Sequence, residues 1–191
     1  VDGAVEGVVE GGHRRIDHVL DHDYLVGLGG LPLADLRSRR EDADQEETDL
    51  SYLRRLLQAR LDLVVAEQER RASGAGMPTD VVAYLSRVLA DDRVPSRGSG
   101  RHTTHEPSRA GDSRRYVEQL VSDELLTTLT ETPDADLEEA RAVLARGEAE
   151  ISAQRHAVQE VLDALTAEVG RRYRDGEASV DTLLADGTIH E

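Results

Sequence analysis

Five residues recur in this chain at identical spacing. Glu47, Ser51, Arg54, Gln58 and Asp62 form the first set; Glu148, Ser152, Arg155, Gln159 and Asp163 form the second. Both read E-x3-S-x2-R-x3-Q-x3-D, offset by 101 positions. With each position matched at about one in fifteen, five matches in register arise by chance roughly once in a million. Aligning 47–71 with 148–172 adds Leu61/Leu162, Ala66/Ala167, Glu67/Glu168, Arg70/Arg171 and Arg71/Arg172. The chain therefore carries a duplicated segment, a feature that constrains its architecture more than any local propensity.

The spacing is helical. At about 100° per residue the five side chains fall within a stripe about 80° wide and about 22 Å long. That stripe is polar, so it is no core. Beside it runs an apolar seam: Leu50, Leu53, Leu57, Leu61 and Val64 in the first copy, and Ile151, Val158, Leu162, Leu165 and Val169 in the second. Each helix thus offers an oily face to a partner helix and a polar strip next to it. If the two helices pair antiparallel, the two strips face one ligand or partner with approximate twofold symmetry.

Composition supports a thin helical core. The 191 residues include no Phe, Trp or Cys and one Met, and 32% are charged, as in helical bundles and coiled coils. The expected fold class is all-α: a long antiparallel coiled-coil hairpin with short accessory helices and a disordered linker. Its parts are an N-terminal flexible or docking segment (1–34), a first hairpin helix (35–73), a connection with short helices and linker (74–133), a second hairpin helix (134–173) and an acidic tail (174–191). Ser73-Gly74-Ala75-Gly76-Met77-Pro78 stops the first long helix, and Gly176 ends the second. Within the connection, Thr79 to about Leu89 and Arg114–Leu129 read as short amphipathic helices. The Ser-, Gly-, Pro- and Arg-rich run 93–113 between them reads as disordered. Residues 1–14 lack periodicity and read as disordered too; a short helix and a turn at Gly27–Pro32 follow.

Charge and absences narrow the function classes. The net charge of −16 opposes non-specific DNA binding and favours a basic partner; the same acidity also keeps a thin helical protein soluble. All 23 basic residues are Arg, so every fixed cation is a planar fork suited to phosphate, carboxylate or guanine. No apolar stretch is long enough to span a membrane and no secretory signal is visible, which points to the cytoplasm. No P-loop, G-x-S-x-G or strand-borne G-x-G-x-x-G occurs, so no catalytic constellation is expected. His18 and His22 have a four-residue spacing usable for zinc, but neither they, His13, nor His102 and His105 in the linker make a convincing metal site.

The repeated strip has chemistry of its own. Arg presents a two-pronged donor that fits phosphate or the O6/N7 edge of guanine. Asp offers two acceptors for the N1–H and N2–H donors of guanine. Ser and Gln can hold phosphate or ribose oxygens, and Glu can brace the Arg. One strip suits a guanine nucleotide; two suit a twofold-symmetric one. A solvated salt-bridge face is the plainer alternative for one copy. The duplicated Ser and Gln, poor choices for a salt-bridge ladder, argue for a site.

The segments ETDLSYLRRLLQARLD and EAEISAQRHAVQEVLD resemble the paired motifs of the RsiG family, actinobacterial anti-sigma factors controlled by cyclic di-GMP. The resemblance covers the two long helices and is complete at all ten motif positions. It implies a helical hairpin that binds a sporulation sigma factor of the WhiG type, with a pair of cyclic di-GMP molecules between the two proteins and no metal. It implies that Glu47, Ser51, Arg54, Gln58, Asp62, Glu148, Ser152, Arg155, Gln159 and Asp163 contact the ligand. A structural coiled-coil module without a nucleotide is the alternative of a different class; ten matched polar residues beside the seam serve no purpose in it.

Overall fold

The computed structural model describes residues 14–74 and 106–176. The expected helix at 79–89, residues 1–13 of the N-terminal stretch expected to be disordered, most of the expected linker and nearly all of the acidic tail lie outside the described residues. Among the described residues there is no strand. The described residues form five α-helices: α1 (Arg15–Val19), α2 (Leu33–Ala72), α3 (Ala110–Leu120), α4 (Asp123–Thr127) and α5 (Asp134–Arg174). Two 3-10 turns, His22–Leu25 and Leu28–Gly30, separate α1 from α2. The all-α hairpin expected from the repeat is the fold observed, with each long helix within two residues of its expected bounds.

Local chemistry sets those bounds. Pro32 and Pro133 stand immediately before α2 and α5, where a missing N–H costs nothing. Their carbonyls accept from Leu36 N and Leu137 N, both at 3.1 Å. Asp35 and Asp136 place negative charge in the first turn, at the positive end of each helix dipole. Gly74 (φ +65) and Gly176 (φ +73) terminate the helices in the left-handed region, which favours glycine.

α2 and α5 run antiparallel. Arg37 bonds Tyr173, Glu47 meets Arg155, Arg54 meets Glu148, Gln68 bonds Glu138 and Arg71 bonds Asp134. The seam is narrower than the apolar pattern suggests. Leu36, Ala43, Leu50, Leu57 and Val64 are buried on α2, and Leu137, Leu144, Ile151, Val158 and Leu165 on α5. Each series steps by seven residues, 3.5 per turn, the repeat of a left-handed supercoil. Leu53, Leu61, Leu162 and Val169 are only half-buried, at the edge of the seam. Each fully buried Leu contributes about 1.5–3 kcal/mol of apolar transfer.

The chain divides into two compact units, 1–46 with 160–191, and 47–159. In the first, Val19 and Tyr24 are buried, as are the seam residues Leu36, Ala43 and Leu165. The Tyr24 hydroxyl donates to the Arg39 carbonyl at 2.8 Å, and the Arg39 guanidinium lies 5.2 Å from the Tyr24 ring centre. Burial pushes the Tyr24 hydroxyl up to about 12. Buried Arg172 donates to the carbonyls of Leu28 (2.7 Å) and Leu31 (2.6 Å) and to Glu168. It ties the turn before α2 to the end of α5.

In the second unit, α3 and α4 lie on the hairpin through Val117, Val121 and Leu129. Arg71 donates to the Leu129 carbonyl at 2.7 Å and to Glu67 and Asp134. This arrangement repeats that of Arg172: Leu28 and Leu129, like Arg71 and Arg172, stand 101 positions apart. Pro32/Pro133, Ala34/Ala135, Asp35/Asp136 and Leu36/Leu137 share the offset. The duplication therefore begins well before residue 47, and in each unit the end of one copy's long helix clamps the turn of the other copy.

Two expectations need correction. Arg114–Leu129 is not one helix. Val121 is extended, and Ser122 caps a new helix by accepting from Leu125 N at 3.3 Å. The break buries Val121 and frees its carbonyl to accept from Arg60, which also reaches Asp123. Residues 106–113, expected to belong to a disordered run, are ordered. Buried Asp49 accepts from Ser108 N and Ser108 Oγ, both at 2.6 Å, and pairs with Arg109 at 3.5 Å, fixing the approach to α3. At the other end of α3, Gly147 of α5 lets Leu120 approach, since a Cβ there would stand 3.1 Å from Leu120 Cδ1.

The duplicated Glu-x2-Arg-Arg runs give one testable prediction. Glu67 accepts from Arg70 and Arg71, and Glu168 from Arg171 and Arg172, at 2.7–2.9 Å. Bonding to Arg70 foremost lowers the Glu67 carboxyl, and bonding to Arg171 and then Arg172 holds Glu168 at about 2 instead of 4.5. A carboxyl with a depressed folded value stabilises the fold above its unfolded pKa and loses that contribution as pH falls through the folded one. The window here runs from about 4.5 down to about 2. Carboxyl NMR should show Glu168 titrating near the lower limit; a midpoint in the ordinary carboxylate range would contradict the assignment.

Candidate functional site

The polar strips flank the seam, and the antiparallel pairing turns both toward one another. Glu47 Oε1 is the focus of one cluster. It accepts from Ser51 Oγ at 2.9 Å on its own helix, and from Arg155 Nη1 at 3.2 Å and Gln159 Nε2 at 3.1 Å on α5. Glu148 is the focus of the other. It accepts from Ser152 Oγ at 2.8 Å and pairs with Arg54 Nη1 at 3.5 Å. All seven residues lie in the 47–159 unit.

The antiparallel pairing crosses the two strips. Each cluster is composite, with Glu and Ser from one copy and Arg from the other. Gln159 joins the first cluster. Its counterpart Gln58 is half-buried one turn beyond Arg54 and makes no such bond to Glu148 among the described residues. Asp62 follows a turn later on α2 and is half-buried, while Asp163 is exposed on α5 and belongs to the 1–46/160–191 unit. The local fold explains the clustering. Residues four apart on a helix are neighbours, so Ser51 meets Glu47 and Ser152 meets Glu148. The crossed Glu–Arg pairs follow from the antiparallel register.

The side chains of Arg54, Arg155, Glu47 and Glu148 are 21–28% exposed, so the clusters are half-sunk in the hairpin. Ion pairs at that depth are worth little on balance. One feature is costly. Arg54 Nε and Arg155 Nε are buried, and neither has a hydrogen-bond partner among the described residues. An unmet buried donor costs about 1–3 kcal/mol. The cost appears twice, at symmetry-related positions, on the residues best suited to bind phosphate or guanine. Each guanidinium is held by one edge and keeps an unmatched N–H on the other. Arg, Ser and Gln together make a donor set of a kind that binds anions.

Sequence reasoning missed the partners that hold the scaffold: Asp49, Glu46, Arg60 and Tyr24. Glu46 is buried and meets Arg15 at 3.7 Å. A run of acids within a helix carries no mark of which member turns inward, so no local signal could have found Asp49 or Glu46. The histidine spacing that suggested zinc is not realised on one helix, because α1 ends at Val19, between His18 and His22. Among the described residues no group of three His, Cys, Asp or Glu is arranged to hold a metal, and no helix is long and apolar enough to cross a membrane.

No curated protein matches the chain. The sequence model of the RsiG-like family matches residues 22–89 and 123–186, most of the chain. The two matched segments begin 101 positions apart, the offset of the repeat, and each contains one complete motif. A hairpin of two such copies, with the motifs interleaved across its seam, thus has both the sequence and the architecture of the match: the chain belongs to the RsiG-like family, which is regulatory rather than catalytic and suggests an anti-sigma role with a sigma factor as partner.

Proposed function

We propose that this chain is a ligand-gated anti-sigma factor. It sequesters a WhiG-type sigma factor in a complex stabilised by cyclic di-GMP, as a pair of molecules, bound at the two motifs. It thereby represses sporulation transcription from the cytoplasm, without a metal. The observation that carries this reading is the pair of composite clusters, in which two Arg forks with unmatched buried N–H groups converge beside Ser and Gln donors.

The division of labour follows from side-chain chemistry. Arg54 and Arg155 bind phosphate or the O6/N7 edge of guanine in two-pronged fashion. Asp62 and Asp163 accept from guanine N1–H and N2–H. Ser51, Ser152, Gln58 and Gln159 hold phosphate or ribose oxygens, and Glu47 and Glu148 hold the Arg side chains in place in the free chain. The ligand carries two phosphate charges and the chain a net charge of −16. Overall charge thus opposes binding of the ligand to the chain alone. Basic groups from the sigma factor offset that repulsion and complete the site, so ligand and partner bind cooperatively.

Capture of the sigma factor on the immobilised chain, with and without cyclic di-GMP, tests the reading. Capture should rise strongly with the ligand and should withdraw sigma from RNA polymerase. Equal capture in both conditions would leave a constitutive anti-sigma factor. No capture and no ligand binding would leave a structural hairpin.

A further inference from the structure

In the free chain, five of the side chains assigned to the ligand as donors are already engaged: Ser51, Ser152, Arg54, Arg155 and Gln159. Glu47 Oε1 alone accepts from Ser51, Arg155 and Gln159, and Glu148 Oε1 accepts from Ser152 and pairs with Arg54. A carboxylate oxygen that gathers a hydroxyl, a guanidinium and an amide stands where a phosphate oxygen would stand. Glu148 repeats the arrangement without the amide, and each carboxylate brings one negative charge, seven positions from the motif Arg on the same helix, about 10 Å along its axis. Because each Glu sits on the Arg of the other copy, the carboxylates also close the two strips upon one another.

We propose that Glu47 and Glu148 are built-in competitors for the anion sites. They hold the hairpin closed to ligand until an incoming nucleotide, presented with the sigma factor, displaces both. This inference rests on the reading that the nucleotide binds at the motifs, and it assigns the Glu of each motif a role opposite to that of its neighbours. Ser, Arg and Gln favour the bound state. Glu favours the free state by satisfying the same donors. Any weak anion then faces a site already filled, whereas a ligand bringing two anionic groups replaces both carboxylates at once, and its partner protein adds the remaining affinity. The carboxylates released are half-exposed already, so their return to water is cheap.

The test is calorimetric titration of cyclic di-GMP into the full chain, free and with sigma bound. The parent is compared with Glu47→Gln/Glu148→Gln, with Arg54→Ala/Arg155→Ala, and with a charge control, Glu118→Gln/Glu139→Gln, whose residues are exposed and outside the motifs. Glutamine keeps the shape and removes the charge. Relieving two half-exposed ion pairs, each worth a few-fold, should tighten ligand binding to the free chain by roughly tenfold. The charge control should stay within about twofold of the parent, and the alanine pair should bind weakly or not at all. A second readout follows the parent's side-chain carboxyls by NMR: ligand must move the Glu47 and Glu148 resonances as these groups pass to water. Glutamine variants that bind equally or more weakly while the alanine pair fails overturn the competitor role and leave the site reading intact. So do carboxyl resonances that stay put, or a control that tightens as much as the glutamine pair. An alanine pair that binds like the parent overturns both.

Discussion

Chains carrying Arg54→Ala together with Arg155→Ala should lose ligand-dependent capture of the sigma factor while remaining as helical as the parent. In the proposed complex each guanidinium supplies charge-assisted contacts to the nucleotide in a half-sunk site, and each such contact is worth about 1.5–3 kcal/mol. One substitution should therefore weaken assembly roughly ten- to hundredfold, and the pair, if independent, roughly a hundred- to ten-thousandfold. The fold should tolerate the change. Neither Arg lies in the buried heptad, both side chains are 28% exposed, and both carry a buried N–H without a partner that the substitution removes. Glu47 keeps Ser51 and Gln159, and Glu148 keeps Ser152. Circular dichroism and sigma capture across a ligand series check the two halves of the prediction. A double variant that assembles like the parent would show the crossed pairs to be a solvated salt-bridge face.

Leu57→Ala should have the largest effect on stability. Leu57 is fully buried at the middle of the seam, and its methyl groups come within 3.6 Å of where a Cβ at Gly147 would stand, beside Leu120 of α3. Truncation removes the transfer term and leaves a cavity between elements that cannot close on it, a loss of about 2–5 kcal/mol. A domain with no Phe or Trp has few other large apolar groups to carry it, and total stabilities are only about 5–15 kcal/mol. Leu53→Ala, at the half-buried edge, is the comparison and should cost clearly less. Urea unfolding of the two variants measures the difference. Equal losses, or a Leu57→Ala loss below about 1 kcal/mol, would contradict the seven-residue seam.

Much of this architecture was legible because a long helix declares itself by period. Forty residues without Gly or Pro, bracketed by Pro32 and Gly74, have few alternatives, and the repeat told that a second such helix would pair with the first. The motif residues were legible for the same reason, since spacing alone put them on one stripe. What spacing could not give is the register between helices. It is the register that crosses Glu47 with Arg155 and Arg54 with Glu148, turning two expected strips into two composite clusters. Nor could it show the inward-turned acids. Asp49 orders 108–113 through contacts with Ser108 and Arg109 some sixty residues away, so a run rich in Ser, Gly and Pro looked disordered up to Ser113. The helix break at Ser122 was visible in principle, because Ser-Asp-Glu is a strong start signal, yet the apolar period running through it masked it. The earlier reach of the duplication was equally visible, in Leu28-x3-Pro32-x-Ala34-Asp35-Leu36 and its copy at 129–137. Its meaning emerged only when Arg71 and Arg172 were seen to clamp the two turns alike.

The central claim is that ligand and sigma factor are coupled through the motif clusters. Isothermal titration of cyclic di-GMP into the chain, first alone and then with the WhiG-type sigma factor bound, measures that coupling directly. The account predicts weak binding to the free chain and much tighter binding to the complex. By linkage, the affinity of sigma for the chain must rise on ligand addition by the same factor. Equal ligand affinity in the two titrations would contradict it.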